Sequence, residues 1–363
     1  MPVLFSQNGY ETTVCDPVYG NYRWISDTSI YDDYPEIRAF VTEGYFTNNN
    51  SKDIAIRNRY RNFFCFSLMK SMPVFLQSII YDGGNYNKAS KEVNEQPVFT
   101  TQVVAEDSSS KAMGASKEFI DGYNVLLNMN NITKITEEEK NTFLMMANNT
   151  THEYFLLQKP DYVPVEFLDN TEYDEAFGKK ITVDGKTMTT ETLYQKTHYQ
   201  TNMAAMLQVG KWLDYLREND VFDNTRIIMV SDHGNPNGQF EELIIGEHDV
   251  QGYHPMLMMK DFGSTEFTVS EEFMTNADVA TLATSGCIEN PVNPMTGKPL
   301  NNNEKTAHEQ YVIVSKQWNT QEHGENTFNA SKWARVKDNL WDKNNWEFYE
   351  KETVLKDYSF PKE

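Results

Sequence analysis

The chain has 363 residues, and its 32 basic and 53 acidic side chains give a net charge of −21. This charge argues against a nucleic-acid-binding surface and against polybasic attachment to an anionic membrane, because both need a basic face. Aromatic residues make up 13% of the chain, which excludes a disordered acidic tail.

The first predicted elements are a helix end, a turn and a short strand. Pro2 to Gln7 is followed by a turn at residues 8–9 and then by a β-branched strand, Glu11–Cys15. Helical spacing then predicts helices over residues 34–46, 54–68 and 117–127.

Three apolar runs in the middle of the chain predict buried strands. They are Thr142–Ala147, Thr225–Ser231 and His254–Lys260, with a long amphipathic helix, Glu191–Glu218, between the first two. A last helix is predicted around Asp278–Ala283, and the Asn- and Trp-rich residues from about 290 predict a small irregular cap. This order of strands and helices is typical of an α/β fold.

Neither the cysteines nor the apolar runs indicate a compartment for the chain. Its three cysteines show no CxxC spacing and cannot form a disulfide framework. The first residues lack the pattern of a secretory signal, and no window holds about 18 consecutive apolar residues. The most apolar run, residues 63–80, is interrupted by Lys70, Pro73 and Gln77, and this pattern favours a buried or interfacial helix pair.

Polar residues follow the second predicted strand at the place where α/β sheets bind ligands, beyond the carboxyl ends of their strands. Asp232 and His233 lie there, and a carboxylate beside an imidazole suits a divalent metal such as Zn²⁺ or Mn²⁺. Gly234 would permit the backbone to bend at this point. The alternative is an Asp-His pair that caps a following turn.

Other candidate residues lie on loops. His152 follows the first buried strand and is either a donor to an anionic substrate oxygen or a loop residue bonded to the backbone. The loop of residues 16–27, with Asp16 and Trp24, either grips a head group or sugar or packs locally. His248 and His254 flank the third strand, and either could be a metal ligand or a loop residue. His198, in the long helix, is predicted to be structural, as are the two histidines of the cap.

Several segments together carry a resemblance to a known superfamily. They are residues 150–153 (Thr-Thr-His-Glu), His198-Tyr199, residues 223–234 ending in Asp-His-Gly, the closing strand 254–262 and residues 274–282. In this order they resemble the alkaline phosphatase and sulfatase superfamily, and within it the branch of lipoteichoic acid synthases and phosphoglycerol transferases. The resemblance covers about residues 1 to 300.

The resemblance implies a sulfatase-like, mostly parallel central sheet flanked by helices, and a phospho- or sulfo-group transferase or hydrolase at the extracytoplasmic face of a membrane. In that family a divalent metal is held by an early acidic residue, a Thr nucleophile and a later Asp-His pair. By this match Asp232 and His233 are ligands for Mn²⁺ or Zn²⁺, and His152 is a substrate-side residue. Asp16 and Trp24 match a head-group loop only loosely. The implied partner is an anionic lipid head group or a glycan-phosphate polymer.

The family's first strand, its early metal acid and its Thr nucleophile precede the part matched here. Thr12 and Thr13 lie in a predicted strand, which is the wrong place for a nucleophile. We therefore expect residues 1–295 to be a partial catalytic domain and residues 296–363 a C-terminal cap. Such a chain would hold a metal weakly and have little or no activity by itself. It would contact a membrane only through amino-terminal helices outside this sequence.

Two further interpretations remain open at the sequence level. A sulfatase needs a Cys or Ser in a Cys-x-Pro-x-Arg setting, and residues 15–19 have the Cys and Pro but Tyr19 in place of the Arg. The aromatic content and the Trp-rich tail also permit a non-catalytic module that binds a glycan or a lipid. Metal binding at His233 would separate this module from the enzyme class.

Overall fold

The computed structural model describes residues 1–17, 26–47, 60, 63–81, 102–106, 108–114, 116–302, 305, 307, 309–317 and 329–349. The described helices are α1 (Pro2–Gln7), α2 (63–71), α3 (Val74–Tyr81), α4 (Lys117–Leu127), α5 (Met129–Ile132), α6 (Thr171–Phe177), α7 (Leu193–Glu218) and α8 (Asp278–Thr284). The described strands are β1 (Glu11–Cys15), β2 (Arg38–Phe40), β3 (Val103–Ala105), β4 (Ser108–Met113), β5 (Thr142–Met146), β6 (Phe167–Asp169), β7 (Lys180–Val183), β8 (Lys186–Thr189), β9 (Ile227–Val230), β10 (Ile244–Ile245), β11 (His248–Asp249), β12 (Leu257–Lys260), β13 (Gln310–Gln317), β14 (Asn329–Val336) and β15 (Trp346–Tyr349). The chain is therefore mixed α/β, as its sequence predicts.

A small parallel sheet lies at the start of the fold, with strand order β2-β1-β5. In register, Cys15 pairs with Phe40 on one side and with Met146 on the other. The three strands consequently end at the same edge, and the loops that follow them emerge together. The predicted strand at Thr142–Ala147 is confirmed, but its burial on both faces is wrong, because Thr142 and Leu144 are exposed.

The predicted helix over residues 34–46 is wrong. Arg38–Phe40 forms β2 and pairs with β1, and the Arg38 guanidinium makes an ion pair with Glu11 of β1. Main-chain bonds to a neighbouring strand have overridden the local helical spacing, as tertiary context often does for short segments.

The strands around the candidate Asp-His motif form a separate antiparallel pair. In register, β9 pairs with β12 from Ile227↔Lys260 to Val230↔Leu257. The intervening residues form a hairpin, β10–β11, and short 3₁₀ turns rather than a crossover α-helix, so the chain returns antiparallel. Among the described strands, parallel pairing is confined to β1, β2 and β5.

Two apolar clusters hold the layers around these strands. In the first, Phe5 of α1 stacks on Phe143 of β5 at 4.1 Å between ring centroids, and Ile228 of β9 and Ala283 of α8 join the same cluster. In the second, the buried Phe119 of α4 packs with residues of α7 and of the loop after β5. The helices predicted at 117–127, 191–218 and 278–283 are confirmed as α4, α7 and α8.

The carboxyl-terminal region is not irregular. Its described residues form a three-stranded antiparallel sheet in the order β13-β14-β15. Ala334, Val336 and Trp346 of this sheet are buried against Leu243 and Val250. The sheet therefore shares one core with the loop region that follows β9.

No helix in the described parts of the chain is long and apolar enough to cross a bilayer. The predicted helix over residues 54–68 is described only in part, and its described residues 60 and 63–68 are helical.

A partly buried ion network fixes the start of α7. The Asp174 carboxylate accepts hydrogen bonds from Lys159 at 2.6 Å and Lys196 at 3.1 Å, and from the Ser110 hydroxyl. Burial alone would raise the pKa of Asp174, but these hydrogen bonds outweigh it, and its pKa is lowered. Because a lowered carboxyl pKa stabilises the fold at higher pH, this contribution is present above about pH 4 and is lost as the pH falls through the folded-state pKa.

We predict that Asp174→Asn destabilises the protein by roughly 2–3 kcal/mol, because two lysines then lose their counter-charge. Urea unfolding at neutral pH measures this change. The control is Asp214→Asn, since Asp214 forms an exposed ion pair with Arg217 on α7, and it should change stability by less than about 0.5 kcal/mol. Equal effects of the two substitutions would contradict this account of the network.

Candidate functional site

Asp232 and His233 lie directly after β9, at the carboxyl end of that strand. Both side chains are exposed, at 87% for Asp232 and 70% for His233. The Asp232 Oδ2 and His233 Nε2 atoms are 3.6 Å apart. The two side chains therefore face each other and are open to solvent.

The hydrogen bonds of the pair leave its two facing atoms available to a cation. The His233 Nδ1 lies 2.5 Å from the Gly234 carbonyl oxygen, which can only accept, so Nδ1 carries a proton and Nε2 is the ring nitrogen left to face a cation. The Asp232 Oδ1 accepts from the His233 backbone N–H at 2.9 Å, which leaves Oδ2 free for a cation. Two ligands on one tetrahedral ion, with bonds of about 2.1 Å, stand about 3.4 Å apart. The observed 3.6 Å fits such an ion.

Gly234 is required at this turn by close packing of the backbone. A Cβ atom at this position would lie 2.0 Å from the Gln251 carbonyl oxygen and 2.7 Å from that of His254. The Gly234 N–H also donates to the Gly252 carbonyl oxygen at 3.1 Å. The sequence predicted that Gly234 is needed for a bend. In the structure, a glycine is needed there because the backbone of residues 251–254 lies too close for a Cβ atom.

A second contact holds the backbone of the pair from the other side. The Asn276 side-chain amide donates to the carbonyl oxygens of Ser231 at 3.1 Å and Asp232 at 2.9 Å. Asn276 lies just before α8, in the segment 274–282 that carries part of the resemblance. We did not predict this contact from the sequence.

A closed ring of three hydrogen bonds joins this turn to the loop after β5. The Asn235 amide donates to the Tyr154 hydroxyl at 3.0 Å, and the Tyr194 hydroxyl donates to the Asn235 amide oxygen at 2.6 Å. The two hydroxyl oxygens lie 2.9 Å apart, so Tyr154 donates to Tyr194 and closes the ring. Burial and the bond with Tyr154 raise the pKa of Tyr194 to about 12, which keeps its hydroxyl protonated. Sequence reasoning missed these three residues, although Asn235 and Tyr154 lie next to the quoted motifs.

The two tyrosines of this ring line a cleft of about 850 Å³. Its walls come from the β3 region, from the first turns of α4 and α7 and from the loop after β5. The lining residues are Gln102, Val104, Ser116, Lys117, Glu118, Glu153, Tyr154, Phe155, Leu193, Tyr194 and Thr197. The ring therefore places the Asp232–His233 turn beside a cleft of ligand size.

Of the three other predicted site residues, two lie in the described parts of the chain. His152 is exposed in the loop after β5, with its Nδ1 atom 3.3 Å from a Glu153 carboxylate oxygen, and the Tyr154–Asn235 bond ties this loop to the Asp-His turn. Trp24 lies outside the described residues. Asp16 is buried at the end of β1 and does not line the cleft.

The Asp16 carboxylate is occupied by the loop after β2. It accepts from the backbone N–H groups of Thr42 at 2.7 Å and Glu43 at 3.2 Å, and from the Thr42 hydroxyl. Burial, with the nearby charges of Asp16 and Asp121, raises the pKa of Glu43. In this structure, Asp16 therefore holds the edge of the parallel sheet in place.

The other histidines make internal contacts. The His254 Nδ1 donates to the Val250 carbonyl oxygen at 2.8 Å, and the His248 ring stacks on Phe348 at 3.8 Å. His198 is partly buried, which lowers its pKa, and its Nδ1 lies 3.1 Å from the Gln239 amide oxygen. The two cap histidines lie outside the described residues.

Cys15, the cysteine of the sulfatase-like stretch, is buried at the end of β1. Burial and the neighbouring Asp16 raise its pKa to about 11. In the described parts of the chain, no three His, Cys, Asp or Glu side chains gather closely enough to hold a metal ion. Among the described residues, Asp232 and His233 therefore have no third such side chain beside them.

Comparison of the chain with protein-family models, with curated proteins and with solved structures gave no match.

We predict that Gly234→Ala destabilises the fold, by roughly 2 kcal/mol or more, because the new methyl group overlaps two backbone carbonyls. Thermal unfolding of the purified chain measures the loss. Gly210→Ala is the matched control, since Gly210 lies in α7 with no atom within 4 Å of the added Cβ, and it should raise stability by up to about 1 kcal/mol. An unchanged melting temperature for Gly234→Ala would contradict the packing constraint.

Proposed function

We propose that this chain carries the divalent-cation site of a metal-dependent phospho- or sulfo-group transferase or hydrolase of the sulfatase-like superfamily. The observation that carries the proposal is the Asp232–His233 pair. Its two free donor atoms face each other at 3.6 Å beyond the end of a strand, with the tautomer of His233 set by the Gly234 carbonyl. Neutral imidazole and ionised carboxylate are the forms that bind Zn²⁺ or Mn²⁺.

Asp232 and His233 would hold the cation and keep its outer face open, because both side chains are mostly exposed. A bound divalent ion would supply positive charge against the oxygens of a phosphoryl or sulfuryl group. His152, on the neighbouring loop, would donate a proton or hydrogen bond to an anionic substrate oxygen. Two protein ligands alone hold an ion weakly, so the substrate oxygens or water would complete its coordination.

The proposed substrate is an anionic lipid head group or a glycan-phosphate polymer. The cleft beside the pair supports this choice through its size and its lining. Tyr154 and Tyr194 present half-exposed rings on which a sugar or glycerol unit can pack. The charged lining residues are Lys117, which pairs with Asp121, and Glu118 and Glu153, so the positive charge for an anionic group would come from the bound cation. An extracytoplasmic location is part of the same proposal, because such substrates belong to the cell envelope.

We also propose that the β2-β1-β5 sheet and the β9–β12 pair are parts of one sulfatase-like central sheet. Two contacts support this arrangement. Ile228 of β9 shares an apolar cluster with Phe143 of β5, and Asn235 after β9 bonds Tyr154 after β5. These contacts link the two sheets through residues of α1 and α8 and through the loops that follow β5 and β9.

A second candidate function is a non-catalytic module that binds a glycan or a lipid. The half-exposed Tyr154 and Tyr194 rings, whose centroids are 4.7 Å apart at the cleft, favour it. Such a module would bind its ligand without a cation, and Asp232 and His233 would not contribute.

The test is a calorimetric titration of the chain with Mn²⁺. We expect one ion per chain with weak affinity, and a dissociation constant raised by about tenfold or more in Asp232→Asn and in His233→Ala, because each removes one of two ligands. Inorganic phosphate should bind more tightly in the presence of Mn²⁺ than in its absence.

The matched controls are Asp214→Asn, an exposed carboxylate on α7, and His248→Gln, a histidine stacked on Phe348. Both should leave the Mn²⁺ affinity unchanged. If the wild-type chain binds no Mn²⁺, or if the controls lose it equally, the metal-dependent function is wrong. Cation-independent binding of a saccharide, lost in Tyr154→Ala, would instead support the non-catalytic module.

A further inference from the structure

A second cleft, of about 710 Å³, lies between two 3₁₀ turns in the carboxyl-terminal half of the fold. One turn is Glu241–Leu243, and the other is Lys343–Asn345, just before β15. The cleft shares no lining residue with the cleft at Tyr154 and Tyr194, so it is a separate candidate site of ligand size. Its lining residues are Glu241, Glu242, Trp341, Asp342, Lys343 and Asn344.

Both walls of this cleft are fixed to one apolar core. Leu243 of the first turn is buried, and Trp346, directly after the second turn, is buried in the same cluster. The Lys343 ammonium also donates to the Glu241 carbonyl oxygen at 3.4 Å and so joins the two turns. Packing therefore shapes the cleft before any ligand binds, which lowers the entropy cost of binding.

The Trp341 ring is the apolar part of the lining. The Lys186 ammonium lies 4.0 Å from its centroid, and Phe240 packs edge-on at 5.6 Å. Neither of these residues lines the cleft, so the ring borders it with a part that they do not cover. The Trp346 indole N–H donates to the Leu340 carbonyl oxygen at 2.9 Å, but among the described residues the Trp341 indole N–H has no acceptor, and it is not enclosed. Trp341 therefore offers both an aromatic surface and an open hydrogen-bond donor.

Two carboxylates of the lining are free to accept hydrogen bonds. Glu241 and Glu242 are exposed, and within the described ranges their carboxylates form no hydrogen bond or ion pair. Asp342 differs, because its Oδ1 accepts from the backbone N–H and the side-chain amide of Asn344, both at 2.9 Å. The free acceptors of the cleft are therefore mainly those of Glu241 and Glu242.

This set of groups identifies the chemistry of the ligand. The ligand has to donate to the carboxylates and also accept from the Trp341 indole and from the remaining N–H groups of Lys343. An ammonium group can only donate, and a phosphate would meet three carboxylates in a chain whose net charge is −21. A hydroxyl group both donates and accepts, and a sugar ring adds a face of C–H groups that can pack on an aromatic ring. The lining therefore fits a neutral saccharide.

We propose that this cleft binds a neutral saccharide, with one sugar ring packed on Trp341 and its hydroxyl groups bonded to Glu241 and Glu242. The proposal does not depend on the cation site or on the cleft at Tyr154 and Tyr194, because it shares no residue with either.

The test is a calorimetric titration of the full chain with two neutral oligosaccharides, chitotetraose and maltotetraose. We expect at least one of them to bind. Its dissociation constant should rise about tenfold in Trp341→Ala, which removes the aromatic surface, and in the double variant Glu241→Ala/Glu242→Ala, which removes the free acceptors. The two glutamates are exposed, so the double variant should keep the melting temperature of the wild-type chain and remain informative even if Trp341→Ala loosens the core.

The matched control is Glu247→Ala, because Glu247 is an exposed carboxylate in the β10–β11 hairpin outside the cleft, and it should bind like the wild-type chain. Asp232→Asn and Tyr154→Ala should also bind normally, which separates this site from both functions proposed above. The proposal is overturned if neither oligosaccharide binds, if the double variant binds equally well, or if Tyr154→Ala abolishes binding. Tighter binding of tetralysine, lost in the double variant, would also overturn it, because the cleft would then take a cationic peptide.

Discussion

The hydrogen-bond ring of Asn235, Tyr154 and Tyr194 is the interaction on which the candidate site depends. Each member both donates and accepts within the ring, so all three are satisfied and the bonds reinforce one another. The ring joins the turn after β9, the loop after β5 and the start of α7. Together with the Gln195 side-chain amide, which donates to the carbonyl oxygens of Asn237 at 3.0 Å and Gly238 at 3.2 Å, it fixes the loop after β9 against α7.

The acidic side chains that follow β1 and β9, and Asp121 on α4, are of two kinds. Asp16 and Asp121 are buried, and their carboxylates accept hydrogen bonds from Thr42 and Thr47 in the loop after β2. They have little capacity left for a ligand. Asp232 is the opposite case, because it is exposed and its Oδ2 faces an imidazole nitrogen. At this turn the structural contacts are made to the backbone, by the close packing at Gly234 and by Asn276, so the side chains of Asp232 and His233 remain free. We therefore propose that a cation binds there and not at Asp16 or Asp121.

Much of the fold could be predicted from the sequence because its elements are strongly patterned. The strand Glu11–Cys15 and the long helix α7 follow from β-branching and from helical spacing. Prediction failed where distant partners decide the structure: Arg38–Phe40 became a strand through its pairing with β1. The antiparallel return from β9 to β12 depends on the path of the intervening loop. The sheet β13-β14-β15 was not predicted, because its Asn- and Trp-rich region was interpreted as irregular.

For the candidate site, the sequence identified the chemical pair but not what positions it. Asp232 and His233 are neighbours in the chain, so their proximity needed only a turn. Asn276 and the ring residues lie far apart in sequence, and only the fold brings them together. Asp16 illustrates the converse: its place in a strand-end loop suggested a contact with a head group or sugar, but the backbone N–H groups of Thr42 and Glu43 already donate to its carboxylate.

Anomalous diffraction from a crystal of the chain soaked in Mn²⁺ tests the central claim most directly. We predict a manganese peak within bonding distance of both the Asp232 carboxylate and the His233 Nε2 atom. A manganese peak elsewhere on the protein, with none between these two side chains, would contradict it.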